Sequence, residues 1–372
     1  MAKHYVEQGI PFLRSTNISP FKIDLSDIKY ISPNFNEKIS KSQLNTDDVV
    51  IVRTGKPGAC AVIPEKAVPW NCSDLVIIRP NKEKILPLYL ASYINLAYGV
   101  INSQVVGAVQ QHFNVGAAKN LIIEIPPIED QEKICRAISS IIEKMEENLK
   151  INDNLQRQAD LIFQRELLCD GDLPKDWFTG CLLDIADYIN GLAMQRFRPE
   201  KGEIGLPVLK IKELRQGCCD TSSELCSPNI KPDYVVHDGD VVFSWSGSLL
   251  VDFWCGGVCG LNQHLFKVTS SRYPKWFYYA WTAHYLSRFT AIAADKATTM
   301  GHIKREELAK AEVTIPDDAS MERIGGLLRP IYDLIISNRV ENRKLASLRD
   351  TLLPKLMSGE IDVSDIELRR FS

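Results

Sequence analysis

Two stretches of this chain, 190 residues apart, carry side chains suited to hydrogen-bonded recognition. Residues 107–115 hold Gln110, Gln111, His112 and Asn114; residues 297–305 hold Thr298, Thr299, His302 and Lys304. His112 and His302 match at the offset. Amides, hydroxyls and ammonium groups of this kind bond base edges and phosphate oxygens. A loop histidine serves equally well to hold a backbone group, so both readings stand for this pair. More polar groups lie beside matching apolar runs. Arg53 and Thr54 follow 48–52, and Trp245 and Ser246 follow 240–244. Asn71 precedes 75–79, and Gln263, within Asn262-Gln263-His264, precedes 265–268. Arg14 and Lys210 end the matching segments 9–14 and 205–210, and Gln195, Arg196 and Arg198 follow a turn at Gly191. Glutamine pairs bidentately with adenine, and arginine with guanine or phosphate. Strand ends and loops are where such specificity varies while a scaffold stays fixed.

Bond-making chemistry finds no comparable support. The chain has no GxxxxGK[ST], GxSxG or HExxH, and Gly55-Lys56-Pro57-Gly58 is a Gly/Pro turn rather than a phosphate loop. It has no methyl-donor motif, and its six histidines do not cluster. Ten cysteines are scattered without a CxxC, and Cys255-x3-Cys259 is the closest approach to a metal pair. Reduced buried or loop thiols are expected. No catalytic residue, metal or cofactor is expected.

The elements that must position these side chains repeat. Ile134, Ile138, Ile141, Met145, Asn148, Asn152, Leu155 and Ile162 recur after 190 residues as Ile324, Leu328, Ile331, Ile335, Asn338, Asn342, Leu345 and Leu352. Steps of 3 and 4 mark an apolar helical seam. The spacing predicts a long helix from about 128 to 168 and a second from about 319 to 357, with a kink or late start where Pro330 interrupts it. Forty residues span about 60 Å. Each helix needs a partner with a matching stripe, and the obvious partner is the other. The four asparagines either pair across an antiparallel crossing and fix its register or sit solvated at the seam edge. Both helices follow a short apolar run predicted as a strand, 121–126 and 311–316. The segments before them read as mixed α and β, with aromatic-rich helices at 86–101 and 273–293 whose rings suit a core better than a stacking platform. The fold expected is α+β: two α/β domains joined by two long antiparallel helices with a pseudo-twofold internal repeat.

The net charge of −3 hides an asymmetry. Residues 1–127 have 13 Lys and Arg against 10 Asp and Glu, and 174–316 have 16 against 16. The helical segment 128–173 has 6 against 11. The acid is concentrated in a spacer, which leaves the globular parts able to meet phosphate, though on a thin electrostatic footing. No run of 18 apolar residues and no leader-like start is found, which predicts a cytoplasmic chain without a membrane partner.

This layout resembles the specificity subunits of type I restriction–modification enzymes. The resemblance rests on the duplicated domain-plus-helix plan and on several segments: 126–132 leading into the first helix, 107–115, 298–302, 190–195 and the tail 353–361. It implies target recognition domains at 1–127 and 174–316, spacer helices at 128–170 and 317–358, and a C-terminal tail at 359–372. It implies a non-catalytic subunit that reads a bipartite site on double-stranded DNA, one part with each domain. Its partners would be modification subunits, which methylate adenine with S-adenosylmethionine, and restriction/translocase subunits. The alternative reading is a coiled-coil scaffold whose globular ends bind proteins. One departure stands out. About thirty residues equivalent to 177–204 are missing ahead of Gly9. A misassigned start, a truncated or rearranged gene, or completion by the C-terminal tail would each account for it.

Overall fold

A computed structural model of the chain describes residues 2–65, 69–97, 113–168, 173–295 and 303–364. The fold divides into two compact units, Met1–Lys144 with Leu345–Ser372 and Met145–Lys344. Two 40-residue helices, Ile128–Leu167 and Asp318–Met357, each contribute to both. The second helix runs through Pro330 with no late start.

In the first unit, Val49–Val52 pairs antiparallel with Leu75–Ile78 on one side and Cys60–Val62 on the other. All four residues of Val49–Val52 are buried. One face of this sheet packs on the helix Pro87–Ala97 through Leu90, Ala91 and Ile94. A second sheet holds Ile10–Leu13 parallel to Trp70–Cys72. The start of the first long helix is pinned by Gln131, fully buried, whose side chain takes the Leu86 N–H at 2.9 Å and donates to the Lys84 and Pro126 carbonyls at 3.0 and 2.9 Å.

The second unit repeats this plan with more strands. Val241–Ser244 lies between Leu250–Phe253 and Leu265–Thr269, and Asp187–Asn190 adds a fourth strand beyond Leu265–Thr269. Leu206–Leu209 lies parallel to Cys259–Leu261. The aromatic-rich region 273–293 is two helices, Lys275–His284 and Leu286–Asp295. Trp276, Phe277, Tyr278, Tyr279 and Trp281 are buried in the core.

The two predicted terminal strands differ. Glu312–Ile315 is a strand because Phe178–Cys181 pairs with it antiparallel. Residues 121–127 form no strand. Among the described residues the first unit has no equivalent of Phe178–Cys181 or of Asp187–Asn190. Without a partner the ladder bonds cannot form, and Ile122 is left 86% exposed.

Within the second unit, the segments of the two long helices run antiparallel, and the asparagines face each other. Asn148 Nδ2 donates to Asn342 Oδ1 at 2.8 Å and to Glu341 Oε2 at 2.7 Å, and Asn338 Nδ2 donates to Asn152 Oδ1 at 2.9 Å. Each asparagine meets the repeat counterpart of its neighbour in the motif, so one registration satisfies both pairs. Asn338→Leu is expected to cost about 1–3 kcal/mol by stranding the buried Asn152 Oδ1. The double change Asn152→Leu/Asn338→Leu should recover most of that loss in chemical denaturation of the full chain.

Candidate nucleic-acid interface

The second unit gathers four of the side chains singled out in the sequence. Gln195, Arg198, Lys210 and Gln263 line one open cavity of about 550 Å³, together with Ile211, Lys212, Glu224, Asn262 and His264. The backbone places them there. Lys210 and Asn262 stand directly after the parallel strands Leu206–Leu209 and Cys259–Leu261. Gln195 belongs to a short 3-10 turn, Met194–Arg196, anchored by buried Met194. That segment is tied across the strand ends: the Leu192 N–H donates to the Leu261 carbonyl at 2.9 Å and the Gln263 N–H to the Leu192 carbonyl at 2.9 Å. Gly191 makes the approach possible, because a Cβ there would sit 2.2 Å from the Asn262 carbonyl oxygen.

Glu224 reaches the cavity through strand register. The Val208 N–H donates to the Glu224 carbonyl at 2.7 Å, so the Glu224 side chain lies near Lys210, two residues further along the same strand face. Lys210 Nζ contacts Glu224 Oε1 at 2.5 Å and Arg198 Nη2 lies 3.3 Å from Glu224 Oε2. Lys210, then Arg198, hold the carboxyl below its ordinary range and therefore charged at neutral pH. Lys212 Nζ lies 3.5 Å from Asp220. The Ser222 hydroxyl, with help from the Ser222 N–H, Gln216 and Lys212, brings Asp220 to about 2.

Beside this cavity, the Trp245 indole N–H donates to Asn190 Oδ1 at 3.0 Å, and its ring lies against Phe266 and His264. Ser246 is buried, with its hydroxyl 3.3 Å from His264 Nδ1, so it orients the histidine rather than facing solvent. Arg196 and Lys304 are exposed.

The first unit spreads its candidates apart. Arg53 and Thr54 are exposed in the turn after Val49–Val52, and Asn114 is exposed at the start of a short helix. The Phe113 N–H donates to the Arg53 carbonyl at 3.1 Å, and in the second unit the Ile303 N–H donates to the Trp245 carbonyl at 3.0 Å. Both units thus return the chain to the same strand end. Arg14 is turned to Asp27, with Nη2 2.8 Å from the carboxylate. Asn71 is a correction: it is fully buried, donating to Asn36 Oδ1 at 2.8 Å and accepting from the Cys72 N–H, which makes it part of the scaffold. Gln110, Gln111, His112, Thr298, Thr299 and His302 lie outside the described residues.

Sequence reasoning missed Glu224 and Lys212 as cavity residues. Asn262 and His264 entered it only as the neighbours of Gln263. Glu224 had no local signal. Among the described residues, no group of three or more His, Cys, Asp or Glu side chains could hold a metal ion, and no helix is long and apolar enough to cross a membrane.

The chain is similar to the type I restriction enzyme MjaIX specificity subunit of Methanocaldococcus jannaschii, 24% identical over 67% of this chain and 62% of the relative. It is also similar to the type I restriction enzyme EcoKI specificity subunit of Escherichia coli, 24% identical over 69% of this chain and 58% of the relative. Each alignment thus spans less than two thirds of the relative. The type I restriction-modification system S subunit from M. genitalium shares the fold, with a TM-score of 0.51 at 13% identity over 96% of this chain and 91% of that one. A single sequence model, the type I restriction modification DNA specificity domain, matches residues 3–157 and again 174–346, one match for each copy of the repeat, and the chain belongs to that family.

Proposed function

We propose that this chain is the non-catalytic specificity subunit of a type I restriction–modification complex, reading a bipartite site on double-stranded DNA. The observation that carries this reading is the cavity where Gln195, Arg198, Lys210 and Gln263 converge over the ends of two parallel strands. Amide and guanidinium groups supply base-edge contacts, and the ammonium groups supply phosphate contacts. The exposed Arg53, Thr54, Asn114, Arg196 and Lys304 extend the interface. Residues 1–127 and 174–316 act as the two recognition domains, and the tail 359–372 supports the first. The spacer helices 128–170 and 317–358 act as one antiparallel coiled coil that sets the distance between half-sites. The chain works in the cytoplasm with modification subunits, which carry adenine methylation by S-adenosylmethionine, and with restriction/translocase subunits.

Methylome sequencing with and without the gene tests this reading. Loss of one bipartite adenine-methylation motif is expected; an unchanged methylome sinks it. The same readout tests the helices. A heptad inserted at one level of both helices keeps the seam in phase and adds about 10 Å. The spacer should lengthen by about three base pairs, at about 3.4 Å each, with both half-sites unchanged. Altered half-sites with a constant spacer would reverse the assigned roles.

A further inference from the structure

The cavity of the second unit differs from an ordinary phosphate-binding groove in its charge. Its three cations are all engaged: Arg198 and Lys210 by Glu224, and Lys212 by Asp220. Glu224 bridges two of them, one through each carboxylate oxygen. This is the contact set that two oxygens of a backbone phosphate would make with the same arginine and lysine. The carboxyl is held below its usual range, so it carries full charge at neutral pH. Phosphate contacts provide most of the sequence-independent affinity for DNA. A cavity that fills its own phosphate positions lowers that affinity and leaves base-edge contacts, from Gln195 and Gln263, to decide binding.

Building on the function proposed above, we propose that Glu224 is a specificity-determining residue that competes with DNA phosphate for Lys210 and Arg198. Non-target duplex must displace the carboxylate without compensation. Target duplex offsets the displacement with base-edge hydrogen bonds. Glu224 thereby raises discrimination while weakening binding overall, in keeping with the balanced charge of residues 174–316.

Glu224 is exposed, so Glu224→Gln keeps the shape and removes the charge without disturbing the core. The full chain, alone and with its methyltransferase partner, is titrated across a salt series. The probes are a duplex carrying the methylated motif and a duplex with both half-sites scrambled. Glu224→Gln should bind the scrambled duplex about five- to tenfold tighter, with a salt slope steeper by about 1 to 2, one step per freed cation. Its target affinity should change less, so the discrimination ratio falls. Lys210→Ala is the control and should weaken both duplexes. Unchanged scrambled binding in Glu224→Gln beside weakened binding in Lys210→Ala overturns the proposal and leaves the cavity as a DNA contact. Loss of target binding without gain on the scrambled duplex also overturns it, and makes Glu224 a base reader. If neither variant moves DNA binding, the cavity is not the reading site and both the proposal and the reading beneath it fall.

Discussion

Replacing Gly191 with alanine should cost the second unit about 3 kcal/mol or more and abolish recognition of one half-site. The added methyl would lie 2.2 Å from the Asn262 carbonyl oxygen and 2.4 Å from that of Leu261. Both are backbone atoms that rotamer changes cannot move. Relief requires parting the segment 190–198 from the turn 261–265, which breaks the Leu192–Leu261 and Gln263–Leu192 hydrogen bonds. Gln195, Arg196 and Arg198 stand on one side of that seam, and Gln263 and His264 on the other. Gly326→Ala is the matched control. It lies in a helix where an added Cβ would meet no neighbouring group within 4 Å, and should stabilise by about 0.5–1 kcal/mol. Hydrogen exchange resolved along the chain, with methylation at each half-site, reads both variants. Wild-type protection and methylation in Gly191→Ala would show that the close approach does not govern the site.

The contrast between Gly191 and Glu224 shows what the sequence could and could not disclose. Glycine before a polar turn is a local signal, and the turn it announces is there. The long helices and the duplicated strands were legible for the same reason: they rest on periodicity and on a repeat that states each element twice. Contacts that depend on register between distant segments were not. Glu224 reaches Lys210 only because Leu206–Leu209 and Leu225–Cys226 pair in one register. Asn71 read as a surface polar group because an apolar strand follows it, yet Asn36 and the Ile39 carbonyl, 35 and 32 residues away, take its amide into the core. The failed strand at 121–126 is the clearest case. Its pattern matches 311–316, but a strand needs a partner as well as a pattern, and among the described residues none pairs with it.

The first unit takes part of its packing from the segment after the second long helix. Gly359, in the left-handed region at φ +74°, ends the helix and turns the chain back. Ile361 and Val363 then pack with Tyr89, Ile134, Ile138, Leu353 and Leu356. Lys133 Nζ donates to the Ser364 carbonyl at 2.6 Å. Val363 is only 7% exposed. Val363→Asp should therefore cost about 3 kcal/mol by placing an unpaired carboxylate in an apolar cluster, whereas Asp362→Asn, at the exposed neighbouring position, should cost little. The loss should be confined to the first unit. Amides of the helix Pro87–Ala97 and of residues 128–138 should exchange faster, while the strands Val241–Ser244 and Leu265–Thr269 keep their protection. Methylation should fail through the half-site read by the first domain. Equal loss of protection in both units would mean that the tail supports the fold as a whole. Unchanged protection everywhere would show that the first unit stands without it.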